Sequence, residues 1–384
     1  MASASHRVNP TPMPNVPFLD LRAQFHSIRA EVLAAVLAVL ESQEFSLGIE
    51  VETFEREMSR FVGCKFAVGC ASGADALLLS LTALEIGARD EVITTPFTSP
   101  EAASAIARVG ARPVFVDVRP NDFSLDSKQV SKAITPRTRA ILPVHIFGFP
   151  AEMDSIMEIA LAHRLAVIED AAHAIGARHS GRSVGSLGTA GCFSFLPSEN
   201  LGGAGDGGLV TTQDPEVAGR LRVLRGHGSR SEDTCDLLGL DSRLDALQAA
   251  ILNVKLRYLD EWNGARQRNA DGYRLLFHEF GLDTIVLLPL ATADRRHVYN
   301  QFVIRAPRRN ELREFLHSQG IPTEVCYPRP LHLQPAFSYL EYRKGDFPHA
   351  EAASAEMLAL PIYPEVTSQQ QQQIVSRIAR FFAQ

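Results

Sequence analysis

Between Gly69 and Thr212 the chain alternates short runs of β-branched and apolar residues with longer stretches whose apolar residues recur every three or four positions. The short runs at 91–95, 112–118, 140–146 and 166–169 predict strands, and the stretches at 74–84, 101–109 and 154–163 predict helices. That alternation predicts an α/β fold with a mainly parallel sheet sandwiched by helices. In such sheets, functional residues gather at the carboxyl ends of the strands, where the loops converge.

Past Thr212 the pattern becomes helical, at 215–225 and then along 243–277, where Leu244, Leu247, Ile251, Val254, Leu256 and Leu259 recur at helical spacing. The second stretch reads as one long connecting helix. A strand at 299–305 and helices at 310–319 and 368–382 predict a small α+β unit. The resulting division is a flexible arm at 1–17, a large α/β domain at 18–260 and a small α+β domain at 261–384. The glutamine run Gln369 to Gln373 is expected on a helix surface.

At 384 residues and 46% hydrophobic content, the chain can bury a large core. Its net charge is -6, with Lys and Arg scattered rather than clustered, so nucleic acid is excluded as a partner. The arm lacks the basic start and apolar core of a signal peptide. Apolar runs such as 31–40 are too short to span a bilayer as helices, so a cytoplasmic protein without a membrane partner is expected. The five cysteines, Cys64, Cys70, Cys192, Cys235 and Cys326, are odd in number and include no C-x-x-C pair. Neither a disulfide framework nor a metal site is expected from them.

The segment Phe193-Ser194-Phe195-Leu196-Pro197-Ser198-Glu199-Asn200-Leu201, followed by glycines, resembles the cofactor-attachment loop of the DegT/DnrJ/EryC1/StrS sugar aminotransferases. Further blocks of that family follow in order: Ser72-Gly73-Ala74-Asp75, Val144-His145-Ile146-Phe147-Gly148, Glu169-Asp170-Ala171-Ala172-His173, Ser242-Arg243-Leu244-Asp245 and Tyr327-Pro328-Arg329-Pro330-Leu331-His332. The resemblance runs along essentially the whole chain. It implies the aspartate-aminotransferase fold, fold type I, in a homodimer with shared active sites.

By the same resemblance, Asp170 pairs with the pyridine nitrogen of pyridoxal phosphate and His173 lies beside the ring. Ser194 and the helix start at Gly73 and Ala74 receive the phosphate. Tyr327, His332 and His227 are candidates for touching substrate. Four positions depart from the pattern. Glu199 stands where the family has its Schiff-base lysine, and a carboxylate cannot form that bond. Ala74 lacks a phosphate-binding hydroxyl, and Ser99 stands where an aromatic stacks on the ring. Asp241 replaces an Asn that reaches the partner's phosphate.

These departures lead to an expectation of no cofactor. Glu199, His173 and Asp170 would instead carry out acid–base chemistry, such as elimination, isomerisation, cyclisation or hydrolysis, on a sugar-like or natural-product substrate. The alternatives are a dehydratase-like enzyme using non-covalent pyridoxamine or pyridoxal phosphate (PMP or PLP), and an inactive partner or structural subunit. The small-molecule substrate could be a nucleotide-linked sugar or a secondary metabolite.

Overall fold

Residues 16–231 and 234–384 are described by the structure, a computed structural model. Seven strands form the central sheet: β1 (Phe66–Cys70), β2 (Glu91–Thr94), β3 (Arg112–Phe115), β4 (Thr138–Ile141), β5 (Ala166–Asp170), β6 (Ala190–Ser194) and β7 (Gly208–Thr212). Their order is β1-β7-β6-β5-β4-β2-β3. β7 runs antiparallel to both its neighbours, and β6, β5, β4, β2 and β3 pair in parallel. Helices cover both faces, so the strands carry continuous apolar runs such as Val-Ile in β2 and β5. This is the mainly parallel α/β sandwich that the sequence pattern predicts.

Four helices are needed to place the site: α1 (Leu21–Ser42), α2 (Gly48–Val62), α3 (Gly73–Ala83) and α4 (Pro100–Arg108). α3 starts directly after β1, with Ser72 as its cap accepting from the Asp75 N–H at 3.1 Å. Close backbone approach explains the glycines that follow the attachment-like loop. A Cβ at Gly208 would lie 2.1 Å from the Ser72 carbonyl oxygen, so β7 can pass the start of α3 only as glycine.

Several boundaries differ from the sequence pattern. The strand expected at 140–146 begins earlier and ends at Ile141. Pro143 lacks the N–H needed to continue a ladder, and Phe147 turns the chain at φ 57 within a 3-10 turn, Ile146–Gly148. All of this segment is buried, so its apolar run could not mark the strand's end. The helix expected over 243–277 is two helices, Ala246–Leu256 and Leu259–Glu279. Asp245 caps the first by accepting from the Gln248 N–H, and Tyr258 stacks on Trp262 at the break.

The strand expected at 299–305 is confined to Phe302–Arg305, while the final helix, Ser368–Phe382, has the expected bounds. Within the glutamine run Gln371 is buried, donating from Nε2 to the Asn269 carbonyl at 2.6 Å. It is therefore a packing contact and not surface.

α1 overturns the expectation that no apolar helix is long enough to cross a membrane. It extends well past the 31–40 run, to 22 residues with a mean hydropathy of 1.4 over its most apolar window, and passes that test of length and composition. In this fold Ile28 and Val32 pack against Ile251, Val254 and Trp262, while Val39 packs against Ala246 and Ala250. Residues 1–15 of the expected arm lie outside the described residues. Val16 joins a cluster with Tyr273, Phe302, Leu358 and Ile374.

Gly208→Ala is expected to lower stability by roughly 1–3 kcal/mol, the usual cost of forcing atoms into a closed contact. Urea denaturation of the two proteins checks this, and equal midpoints would refute the close-approach explanation.

Candidate active site

β5 and β6 end side by side, with Asp170 opposite Cys192 in register. Asp170 and Ser194 therefore reach the same edge of the sheet, beside the amino terminus of α3. The backbone around Asp170 is fixed twice: its carbonyl accepts from the His145 N–H at 2.9 Å, and its Oδ1 accepts from the Ala172 N–H at 3.2 Å. Glu169, one residue earlier, points the other way into the core. It accepts from the N–H groups of Gly185, Leu187 and Gly188 at 2.7–2.8 Å, and lies 3.0 Å from His145 Nε2.

These elements enclose a cavity of about 270 Å³. Gly73, Ala74, Ser99, Asp170, His173, Ser194 and Glu199 all line it. Seven of the predicted positions thus meet in one space. Gly73 is required there, because its Cβ would lie 2.7 Å from that of Ser194. Ser99 caps α4 by position, without a side-chain capping bond. Among the described residues lining this cavity, His173 provides the one ring.

Glu199 also faces a second cavity, of about 260 Å³, that shares His173 and Leu196 with the first. Phe18, Ser198, Arg266, Asn300, Gln301 and Glu324 contribute to its walls. Glu199 Oε2 accepts from Asn300 Nδ2 at 2.9 Å, and Oε1 lies 3.9 Å from His173 Nε2. Asn300 and Arg266 carry no motif that sequence reasoning could have used. Glu101, also in the first cavity, was concealed as an ordinary acidic residue in a helix's first turn.

Burial sets the charges. Away from water, with Asp170 nearby, the Glu199 carboxyl is held well above its ordinary range. Burial likewise raises Asp170 to about 6 and lowers His173 to about 4. His173 is therefore a neutral imidazole at neutral pH, and Asp170 is poised to ionise.

The remaining candidates lie elsewhere. Asp241 is exposed, 2.8 Å from Arg243 and 3.7 Å from His227, and is not among the residues lining either cavity in this chain. Its neighbour Ser242 is tied to the site, donating to Asp75 at 2.7 Å and accepting from the Ala71 N–H. His332 is buried against Glu351 at 3.1 Å, as expected of a core histidine. Tyr327 stacks on Phe147 and meets Phe97 edge-on, which places it in the packing behind the site.

The sequence profile of the DegT/DnrJ/EryC1/StrS aminotransferase family matches residues 26–379. The chain belongs to this family. It is 46% identical over 96% of its length to a pleiotropic regulatory protein of Geobacillus stearothermophilus, covering 99% of that protein. It is 44% identical over 95% of its length to a UDP-N-acetyl-3-dehydro-alpha-D-glucosamine 3-aminotransferase of Acidithiobacillus ferrooxidans, covering 97% of it. Among solved structures, DesV of S. venezuelae in complex with a ketimine intermediate superposes with a TM-score of 0.93 at 43% identity, over 97% of this chain and all of that one.

These relatives overturn the expected function. Cofactor-independent acid–base chemistry, with its dehydratase-like and inactive alternatives, rests on four departures, whereas the Acidithiobacillus relative is named an aminotransferase and a Streptomyces venezuelae relative, also 44% identical, a dTDP-3-amino-3,4,6-trideoxy-alpha-D-glucose transaminase. The expected absence of a cofactor falls as well. NtdA of Bacillus subtilis, 29% identical with a TM-score of 0.89 over 97% of this chain and 85% of that one, is a structure with bound PMP. The departures at Ala74 and Ser99 leave Gly73, Ser194 and Asp170 together in the same cavity.

The two shifted groups have opposite effects on stability. Asp170, raised when folded, makes stability fall as pH rises from about 4 to about 6, because the folded state holds the extra proton. His173, lowered when folded, makes stability rise from about pH 4 to its unfolded value of 6.5. Asp170→Asn removes the first effect. Relative to wild type, urea denaturation is expected to show the stability of this variant rising by about 2–3 kcal/mol between about pH 4 and pH 6, because the other titrating groups, Glu199 included, are common to the two proteins. A flat difference would contradict the assignment.

Proposed function

We propose that this protein is a nucleotide-sugar aminotransferase that holds its vitamin B6 cofactor without a covalent bond, with Glu199 at the position of the family's lysine. The observation that carries this is the single cavity joining Asp170, Ser194 and the start of α3 to Glu199 and His173, which also line a second polar chamber. The residues present fit the cofactor at both ends. The N–H groups at the start of α3 and the Ser194 hydroxyl suit a phosphate. Asp170, buried and poised near pH 6, suits a protonated ring nitrogen, and a cation there would draw it fully into the carboxylate form.

When bound, the cofactor supplies the amino group to be transferred and an electron sink for the proton movements that accompany transfer. The chain supplies the proton carrier. Burial holds the Glu199 carboxyl toward its protonated form, and the neutral His173 imidazole stands 3.9 Å away to receive or return a proton. The second cavity offers the Ser198 hydroxyl, the Asn300 and Gln301 amides and the Glu324 carboxylate, with Phe18 as an apolar wall, a donor and acceptor set suited to a sugar ring.

We further take residues 18–260 and 261–384 as two domains and the working form as a cytoplasmic homodimer. Support for the dimer comes from Leu33, Leu37 and Leu40, which leave an apolar stripe exposed along α1 at helical spacing. The Leu37→Glu variant is expected to run as a monomer by light scattering. Persistence of the dimer would place the interface elsewhere.

The function is tested with pyridoxamine phosphate and a UDP- or dTDP-linked keto sugar, following amino-sugar formation by mass spectrometry. Glu199→Gln is expected to lower turnover by about 10²-fold while leaving cofactor affinity nearly unchanged, because it removes a proton carrier and keeps the shape. Glu199→Lys is expected to gain the absorbance of a lysine-linked pyridoxal phosphate. Undiminished turnover by Glu199→Gln, or no B6 binding by the wild type, would refute the proposal.

A further inference from the structure

The chain has five lysines, and four of them, Lys65, Lys128, Lys132 and Lys344, are exposed. Lys255 is buried. It lies in the helix Ala246–Leu256, directly beneath the loop that carries Glu199, and its ammonium donates to the Gly202 carbonyl. Gln248, seven residues earlier and so on the same helix face, accepts from the Ala204 N–H of that loop at 2.7 Å. Among the described residues Lys255 has no recorded ion pair with a carboxylate. It has only the Trp262 ring, 6.0 Å away. Burial lowers its pKa to about 8.

A buried cation without a counter-ion is a cost to folding, so a well-packed neutral side chain would serve stability better. What the ammonium does hold is mechanically linked to Glu199. The loop folds back on itself so closely that a Cβ at Gly202 would lie 2.4 Å from the Pro197 carbonyl oxygen, and the Glu199 N–H donates to Leu196 at 2.8 Å. Asn200 fastens the same turn from another side, donating to Asn263 at 2.7 Å and to the Val298 carbonyl at 3.0 Å. Displacing Gly202 therefore moves the turn from Pro197 to Asn200.

We propose that Lys255 is a positioning residue whose grip on the Gly202 carbonyl sets where the Glu199 carboxyl sits between the two cavities. It is not among the residues lining either cavity, so it orients the carboxyl and does not act as a nucleophile. The consequence for catalysis rests on the proposed role of Glu199. The positional claim does not.

The test reads Glu199 directly in ligand-free protein. A protonated carboxyl gives an infrared band, and the Glu199 band is identified on lowering the pH as the one missing from Glu199→Gln. Lys255→Met is expected to shift that band and to move the pH at which it disappears by about one unit, as the surroundings of a buried carboxyl change. Lys255→Arg, which keeps a cationic donor, is expected to restore most of the wild-type behaviour. Lys255→Gln serves in place of Lys255→Met if the latter does not fold.

A lowered melting temperature with an unmoved band would make Lys255 merely structural and overturn the proposal. Borohydride reduction after pyridoxal phosphate treatment should leave Lys255 unmodified, and an adduct on it would likewise overturn the proposal. Pyridoxamine phosphate affinity, measured alongside, is expected to fall about tenfold in Lys255→Met. Wild-type protein that fails to bind this probe would refute the proposed function, while the infrared arms would still decide the role of Lys255.

Discussion

The buried carboxylate of Glu169 is the constraint on which the site depends. Three backbone N–H groups from residues 185–188 converge on its oxygens, with the His145 ring 3.0 Å away. A carboxylate fully removed from water is tolerable only when its lone pairs are met by donors. Meeting them draws the 185–188 loop and the turn after β4 onto the end of β5. Because successive side chains on a strand face opposite ways, fixing Glu169 inward presents Asp170 to the cavity on the other side. β6 then brings Ser194 to the same edge, and β7 returns past the start of α3 by virtue of Gly208.

Electrostatically, the cavity depends on how many groups water cannot reach. Asp170 and Glu199 are both buried carboxyls, and desolvation is the leading cause of both upward shifts. Raising Glu199 toward its protonated form lessens its repulsion of Asp170 and of any anion entering the cavity. Desolvation acts on His173 in the opposite direction and holds its imidazole neutral. Arg266 adds a buried cation behind the second cavity, held by the carbonyls of Tyr299, Asn300 and Ile362.

Much of this was legible in the chain. Strand and helix alternation placed the core elements of the sheet, and Asp170, His173, Ser194 and Gly73 could be named from their motifs before any fold was known. Where the reading failed, local pattern had competed with tertiary context. The run at 140–146 is apolar because it is buried, not because it is extended throughout. Gln371 is polar yet internal because a backbone carbonyl of another helix meets it. His332 resembles a site histidine in its motif, but its ring is spent on Glu351. The largest error, the expectation of a site without a cofactor, came from setting the side chains lost at Ala74, Ser99 and Asp241 above a likeness to aminotransferases that runs along the whole chain.

By itself the sequence determined the fold class, the positions of four of the seven sheet strands and the residue types near the strand ends, because periodicity and motif are local properties. Only the tertiary structure decided what those residues do to one another. The protonation of Glu199 depends on desolvation and on Asp170. Its placement depends on Asn300 and Lys255, which are 101 and 56 positions away along the chain. No pattern of spacing encodes such a meeting, since it is produced by the packing of elements that are remote in sequence and joined only when the chain folds.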